Sequence, residues 1–262
     1  LPYANLRIEE EDSLSDEDKR VYSDNKKYIN ISVNKTKKMS NFTDFHAFKQ
    51  YDDVRLKYVY DAKDLGNEDI IIFPGSKNTI TDLEDLKKRG IFEKVKELKE
   101  KGKIIIGICG GLQMLGKKIY DLKHLESDIL ETEGFNFFDY ETTFDEIKKT
   151  EQVTKKLELT EGILKDFSNY EVKGYEIHQG ISTFDAPLIC KDRIFATYIH
   201  GIFDNSKFTN DFLNIVRREK NMPEQKEIFS FNEFKEKEYD KLAELLRKNL
   251  DMAEIYKIME KK

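Results

Sequence analysis

The sequence predicts an α/β fold: an open, mostly parallel sheet flanked by helices, with an N-terminal linker and C-terminal helices. Two apolar runs carry most of that prediction. Asp69-Ile70-Ile71-Ile72-Phe73 is unbroken until Pro74-Gly75, and Lys103-Ile104-Ile105-Ile106-Gly107-Ile108 repeats the pattern. Short continuous runs of this kind fit strands covered on both faces, as in a parallel sheet. Between them Ile91, Val95 and Leu98 share one helical face before Gly102, and Leu112 to Tyr120 reads as the next helix. Strand, helix, strand, helix in succession implies right-handed crossovers.

The remaining elements follow in chain order. Residues 1–28 read as a tail and linker: Glu9 to Asp12 is an acidic run, and Ser13 to Lys27 is mostly polar. Ile29-Asn30-Ile31-Ser32-Val33 alternates as a strand does. Ser40-Asn41-Phe42-Thr43 offers caps for a short helix reaching Gln50. Val54 to Val59 alternates again. From Phe135 to Thr183 the pattern is less regular, with short β-like stretches at Glu151 to Leu159 and Gly174 to His178. Arg193 to His200 reads as a strand ending in a polar residue. Helices follow at Lys207 to Lys220 and Glu233 to Glu260, the last with Tyr239, Leu242, Leu246, Leu250 and Ile255 along one apolar stripe expected to pack on the core or on a partner domain.

Composition narrows the function. The 262 residues carry a net charge of −6 with 37% charged residues, so there is no basic excess to displace counterions from nucleic acid. No apolar run reaches membrane-spanning length, and no secretory leader opens the chain. Two cysteines do not make a disulfide framework, which makes a reducing cytoplasm the default. The chain begins Leu1-Pro2-Tyr3, without Met, and reads as part of something longer.

The sharpest local signal is Gly107-Ile108-Cys109-Gly110-Gly111-Leu112-Gln113, which follows one predicted strand and opens a helix. This is the setting of a nucleophile elbow, with Cys in place of Ser. Small residues suit a tight turn, a helix N-terminus favours thiolate over thiol, and the N–H of Gly110 would face a developing oxyanion. Cys190, in Pro187-Leu188-Ile189-Cys190, has no turn chemistry and reads as a small core residue. A thiol nucleophile needs a proton acceptor that later protonates the leaving group. Of the four histidines, His46 and His124 lie in polar surroundings. His178 lies in Gly174-Tyr175-Glu176-Ile177-His178-Gln179-Gly180, where a substrate-contacting or supporting position is open. His200 ends Thr197-Tyr198-Ile199-His200 and precedes Gly201. Active groups in open α/β sheets collect beyond the carboxyl ends of strands, so His200 is the better base. No Gly-x-x-x-x-Gly-Lys phosphate loop occurs.

Five ordered segments give the chain a resemblance to a known family. They are Ser40-Asn41-Phe42-Thr43-Asp44-Phe45; Pro74-Gly75-Ser76-Lys77-Asn78-Thr79-Ile80 with Asp82-Leu83; Gly107 to Gly116; Gly174-Tyr175-Glu176-Ile177-His178; and Thr197-Tyr198-Ile199-His200-Gly201-Ile202-Phe203-Asp204-Asn205. The chain resembles the C-terminal part of the cobyric acid synthases, glutamine-dependent amidases of cobalamin biosynthesis. The resemblance implies a class I glutamine amidotransferase domain over residues 29–262 with a flavodoxin-like sheet, preceded at 1–28 by the end of a synthetase domain and a linker. It implies Cys109 as nucleophile and His200 as its partner, Gly75 and Gly110 as oxyanion donors, and Gln113 as a contact to bound glutamine. Glu176 and His178 are candidates for a supporting or interdomain position, and Lys77, Asn78 and Asp82 for shaping the loop beside the site. No metal or cofactor is expected in this chain; ATP and Mg²⁺ are expected in an N-terminal synthetase domain that holds the corrinoid substrate.

The sequence departs from many amidotransferases in one respect. His200-Gly201-Ile202 lacks the acid of a His-x-Glu pair, so the expectation is a Cys–His dyad with no orienting group identified. Related readings with the same turn are a domain of cobyrinic acid a,c-diamide synthase and one of the lipid II amidating complex. A catalytically idle docking module is the reading from another class.

Overall fold

The computed structural model describes residues 1–2, 6, 20, 22–23 and 25–260. The acidic run Glu9 to Asp12, and most of the predicted tail and linker, lie outside the described residues. Twelve strands are described: β1 (Ile29–Asn34), β2 (Met39–Ser40), β3 (Val54–Val59), β4 (Ile70–Phe73), β5 (Gly75–Ser76), β6 (Ile104–Ile108), β7 (Lys118–Tyr120), β8 (Glu131–Glu133), β9 (Glu141–Lys156), β10 (Glu171–Ser182), β11 (Leu188–Lys191) and β12 (Ile194–Thr197). The helices are α1 (Thr79–Lys88), α2 (Ile91–Glu100), α3 (Gly110–Leu115), α4 (Ser206–Glu219), α5 (Phe231–Asn249) and α6 (Met252–Met259).

The main sheet has the order β11-β12-β6-β4-β1-β3. Its neighbours are parallel except at the edge, where β11 runs antiparallel to β12. The runs that predicted it are its centre: Ile70, Ile71, Ile72 and Phe73 are fully buried, as are Ile104, Ile105, Ile106 and Ile108. Side chains alternate between faces along a strand, and the core divides accordingly. Ile70, Ile72, Ile104 and Ile106 join the cluster with Phe45, Phe48 and Phe212, whereas Ile71, Phe73 and Ile105 join the one with Leu83, Val95 and Leu112. The apolar residues of the central strands are thus packed in separate clusters on the two faces of the sheet.

Several boundaries differ from the sequence reading. The predicted helix at Ser40 to Gln50 is a 3₁₀ segment, Phe42–Gln50, entered through Asn41 in the left-handed region at φ 54°. The predicted helix Leu112 to Tyr120 stops at Leu115. Gly116 is extended, and Lys118–Tyr120 becomes β7 of a second sheet, ordered β10-β9-β7-β8. That sheet is the largest feature missed. The weak β signals around Glu151 and Gly174 belong to a long antiparallel hairpin, β9–β10, whose register shifts between His178 and Gly180. Much of β9 is exposed, so it lacks the apolar alternation that reveals a half-buried strand. The single helix predicted from Glu233 to Glu260 is two. Leu250 is extended and Asp251 restarts the helix by accepting from the Glu254 N–H at 3.0 Å. The apolar stripe does not pack on the core: none of Tyr239, Leu242, Leu246, Leu250 and Ile255 is buried.

Glycine is obligatory where α3 meets the sheet. A Cβ built on Gly111 would sit 2.0 Å from the Phe73 carbonyl oxygen of β4, which is backbone and cannot swing away. Gly111→Ala is therefore expected to lower unfolding free energy by ~1–3 kcal/mol or more, read as a shifted denaturant midpoint with unchanged slope.

Candidate active site

Four chain segments converge beyond the carboxyl ends of parallel strands: Asp44 after β1, Gly75 after β4, Cys109 after β6 and His200 after β12. The β6–β12 pairing sets the critical register. Ile108 lies opposite Thr197, and the Cys109 N–H donates to the Thr197 carbonyl at 2.9 Å. Adjacent strands therefore deliver the thiol and the imidazole to the same end of the sheet, although 91 residues of sequence separate them.

Cys109 has φ 51° and ψ −106°, a backbone region that a residue with a Cβ occupies at a cost of about 1–3 kcal/mol. The strain aims the side chain away from the strand, as a nucleophile elbow requires. Cys109 is 6% exposed and His200 fully buried. The thiol acts electrostatically on the imidazole, raising its pKa, and its Sγ donates to the Ile177 carbonyl oxygen of β10 at 3.5 Å.

The dyad expectation requires correction, because an acid does stand behind the histidine. Asp44 is 2% exposed; its Oδ2 lies 2.7 Å from His200 Nδ1, and its Oδ1 accepts from the Gly201 N–H at 2.8 Å. The carboxylate thus fixes the imidazole ring and the backbone beside it at once. Burial by itself would disfavour the imidazolium, but the charge and hydrogen bond of Asp44, together with the Cys109 sulfur, outweigh it and push the His200 pKa from 6.5 up to about 10. Sequence reasoning missed Asp44 because it searched beside His200, whereas the acid comes from 156 residues earlier. The available signal was an acidic side chain within Ser40 to Phe45, just beyond the first strand.

Two further contacts hold the ring. Tyr175 stacks on it with centroids 5.2 Å apart, and the Asn41 carboxamide lies against it with Nδ2 3.0 Å from Nε2. Tyr175 and His200 exchange backbone hydrogen bonds of 3.2 and 2.8 Å. This close docking explains Gly174, where a Cβ would meet the His200 carbonyl oxygen at 2.2 Å.

The remaining candidates divide into two groups. Gly75 faces the imidazole, since a Cβ there would stand 3.1 Å from His200 Cε1, and it pairs with Ser40 in the short β2–β5 ladder. Gly110 opens α3, so its N–H belongs to the first turn that has no intrahelical acceptor. Gln113 is buried, and its Oε1 accepts from Thr79 Oγ1 at 2.9 Å. Asp82 accepts from Ser76 Oγ and from the Lys38 N–H, and Asn78 caps α1 through the Thr81 N–H. Glu126, absent from the sequence expectations, accepts from the Thr79 N–H at 2.8 Å and closes this loop from the other side. Glu176 and His178 lie on the opposite face of β10 from Ile177 and do not join the thiol. Cys190 is buried, and that burial pushes its thiol up to about 11. His124 is exposed, and His46 is half-buried.

Comparison with known proteins matches these features to one group. Residues 30–208 fit the CobB/CobQ-like glutamine amidotransferase domain. The chain is 39% identical to the cobyric acid synthase of Caldanaerobacter subterraneus, over all of this chain and 55% of that protein. It is 42% identical to the cobyric acid synthase of Clostridium novyi, over 99% of this chain and 54% of that protein. The chain thus spans about half the length of these relatives. A solved glutamine amidotransferase superposes with a TM-score of 0.51 at 15% identity, covering 71% of this chain and 97% of the other, a likeness of fold. A model match across more than half the chain, with relatives this similar along its whole length, makes the chain a member of the CobB/CobQ-like glutamine amidotransferase domain family.

Proposed function

We propose that this chain is the glutaminase domain of a cobyric acid synthase: it hydrolyses glutamine to glutamate and supplies ammonia to an ATP-dependent synthetase domain. The observation that carries the chemistry is a buried group: Asp44, in the 3₁₀ segment, with its Oδ2 2.7 Å from His200 Nδ1, and Cys109, brought to the same end of the sheet by the β6–β12 register. The acceptor rests on the relatives' names: the side-chain carboxylates b, d, e and g of adenosylcobyrinic acid a,c-diamide. This sequence contains no phosphate-binding Gly-x-x-x-x-Gly-Lys loop, so ATP and Mg²⁺ are assigned to the other half of the longer protein, which also holds the corrinoid. Among the described residues no helix is long and apolar enough to cross a membrane; the cytoplasm is proposed on the likeness to the cobyric acid synthases.

The steps follow from the residues. The Cys109 thiolate attacks the glutamine carboxamide carbon, and the C=O electrons move onto oxygen. The backbone N–H groups of Gly110 and Gly75 hold that oxyanion; loss of one such donor typically costs ~10²–10³ in rate. His200, protonated at neutral pH and kept so by Asp44, gives its proton to the amide nitrogen as the C–N bond breaks, and ammonia leaves. Water then loses a proton to His200 and attacks the γ-glutamyl thioester. Collapse of the second tetrahedral species releases glutamate and restores the thiolate, while Gln113 keeps the substrate aligned.

The test uses the full-length protein with ATP, Mg²⁺ and glutamine. Mass spectrometry should find successive acid-to-amide conversions of adenosylcobyrinic acid a,c-diamide. A glutamine-mimicking diazo-ketone should modify Cys109 selectively. An unmodified Cys109 would leave the idle docking reading in place; modification without amidation of this corrinoid would point to another acceptor, such as lipid II.

A further inference from the structure

We propose that the apolar stripe along α5 and α6 is the docking surface for the half of the longer protein that precedes this chain, the half to which ATP and the corrinoid are assigned. This deepens the glutaminase reading and rests on its assignment of the chain to one half of a longer protein. α5 has 19 residues and so runs ~28 Å. Its foot belongs to the domain: Phe231 is buried, Phe234 packs against the core, and Lys235 Nζ lies 3.0 Å from Asp204 Oδ2.

Beyond that foot the stripe continues without joining the core. Leu242, Leu245 and Leu246 recur at helical spacing on α5, and Leu250 follows at its end. Met252, Ile255, Tyr256 and Met259 repeat the pattern on α6. None of these side chains is buried, and none belongs to either core cluster. Leu250, Tyr256 and Met259 are 38%, 57% and 66% exposed. Single helices of these lengths are marginal in water and gain stability by burying an apolar face. An apolar stripe carried over two successive helices, on a chain this rich in charge, marks an interaction site.

The place where the chain enters the domain selects the occupant. Arg20 donates to the carbonyl oxygens of Tyr51 and Val54 at 3.0 and 2.9 Å, and Tyr22 stands edge-on to Tyr28 with centroids 5.1 Å apart. The Tyr51 ring meets Phe229 at 6.4 Å, and Phe229 meets Phe234 of α5 at 5.9 Å. The incoming chain is therefore fastened beside the foot of α5. The cobyric acid synthases that this chain matches are about twice its length, and the match lies in their C-terminal part. A partner tethered at this point meets the stripe at an effective concentration on the order of mM, which a second copy of the chain reaches only in very concentrated solution. The foot is also tied to the segment behind the imidazole. The Phe231 N–H donates to Ser206 Oγ at 3.3 Å, and Asp204, the partner of Lys235, closely follows His200. Contact made along α5 is thereby joined to the strand end that carries His200.

The experiment places the photo-cross-linker benzoylphenylalanine at position 246 of the full-length protein and identifies the joined peptides by mass spectrometry after irradiation. The expected product runs as a monomer on a denaturing gel and joins position 246 to residues of the preceding half. A dimer-sized product, cross-links confined to residues 1–262, or no cross-link would overturn the assignment. The double variant Leu242→Asp, Leu246→Asp supplies a functional readout. Two carboxylates forced into an apolar contact should lower glutamine-dependent amidation roughly 10–100-fold, with ammonium-dependent amidation unchanged. Wild-type rates, or equal losses with both nitrogen sources, would also overturn it. A wild type that cross-links as expected but does not hydrolyse glutamine would overturn the glutaminase activity and leave the docking surface in place.

Discussion

Cys109→Ala is expected to lower glutamine hydrolysis by at least ~10³-fold while leaving amidation by the full-length protein intact when ammonium replaces glutamine. Removing the sulfur deletes the covalent step, and no other group can replace it. The second cysteine, Cys190, is buried with its thiol pushed up to about 11, which leaves almost no thiolate at neutral pH. The contrast between the two nitrogen sources is what gives the experiment its force. A variant that lost both activities would have lost the fold or the interdomain contact, and one that kept glutamine hydrolysis would remove Cys109 from the mechanism.

Asp44→Asn should lower kcat for glutamine hydrolysis by roughly 10²–10⁴-fold with a smaller change in KM, the pattern of losing the acid that orients and charges a catalytic histidine. It should also change the pH response of stability. Folding raises the His200 pKa from 6.5 to about 10, so the folded state binds the proton more tightly than the unfolded chain does. The stabilisation this provides is fully present below pH 6.5 and is lost as pH rises through about 10. Denaturant midpoints of the wild type should fall across that window. Those of Asp44→Asn should be lower at its acidic end and flatter through it, because the carboxylate that holds the proton is gone. Parallel curves for the two proteins would mean that Asp44 does not set the charge of His200.

The two catalytic predictions differ in how early the sequence reveals them. Cys109 is visible in a local pattern: an apolar strand, a turn of small residues and the start of a helix all lie within ten positions. His200 is visible as a polar residue closing a strand, and its nomination needs only the rule that active groups gather at strand carboxyl ends. Asp44 has no such local pattern. The sequence predicts a short helix for the 3₁₀ segment that carries it, and its meaning comes from the imidazole that the β12 strand brings beside it. The sequence makes Glu176 and His178 candidates for a supporting or interdomain position; strand alternation places their side chains along a separate cavity, away from the thiol.

The sequence alone determined the parallel core and the candidates for nucleophile and base, because those depend on short-range patterns: unbroken apolar runs, a glycine turn and a strand-terminal histidine. The tertiary structure decided the third member of the series, the second sheet, the break in the C-terminal helix and the face on which each β10 side chain lies. Those depend on strand order, register and contacts across more than a hundred residues, and period-two or period-3.6 patterning along a chain does not encode which distant segment will become a neighbour.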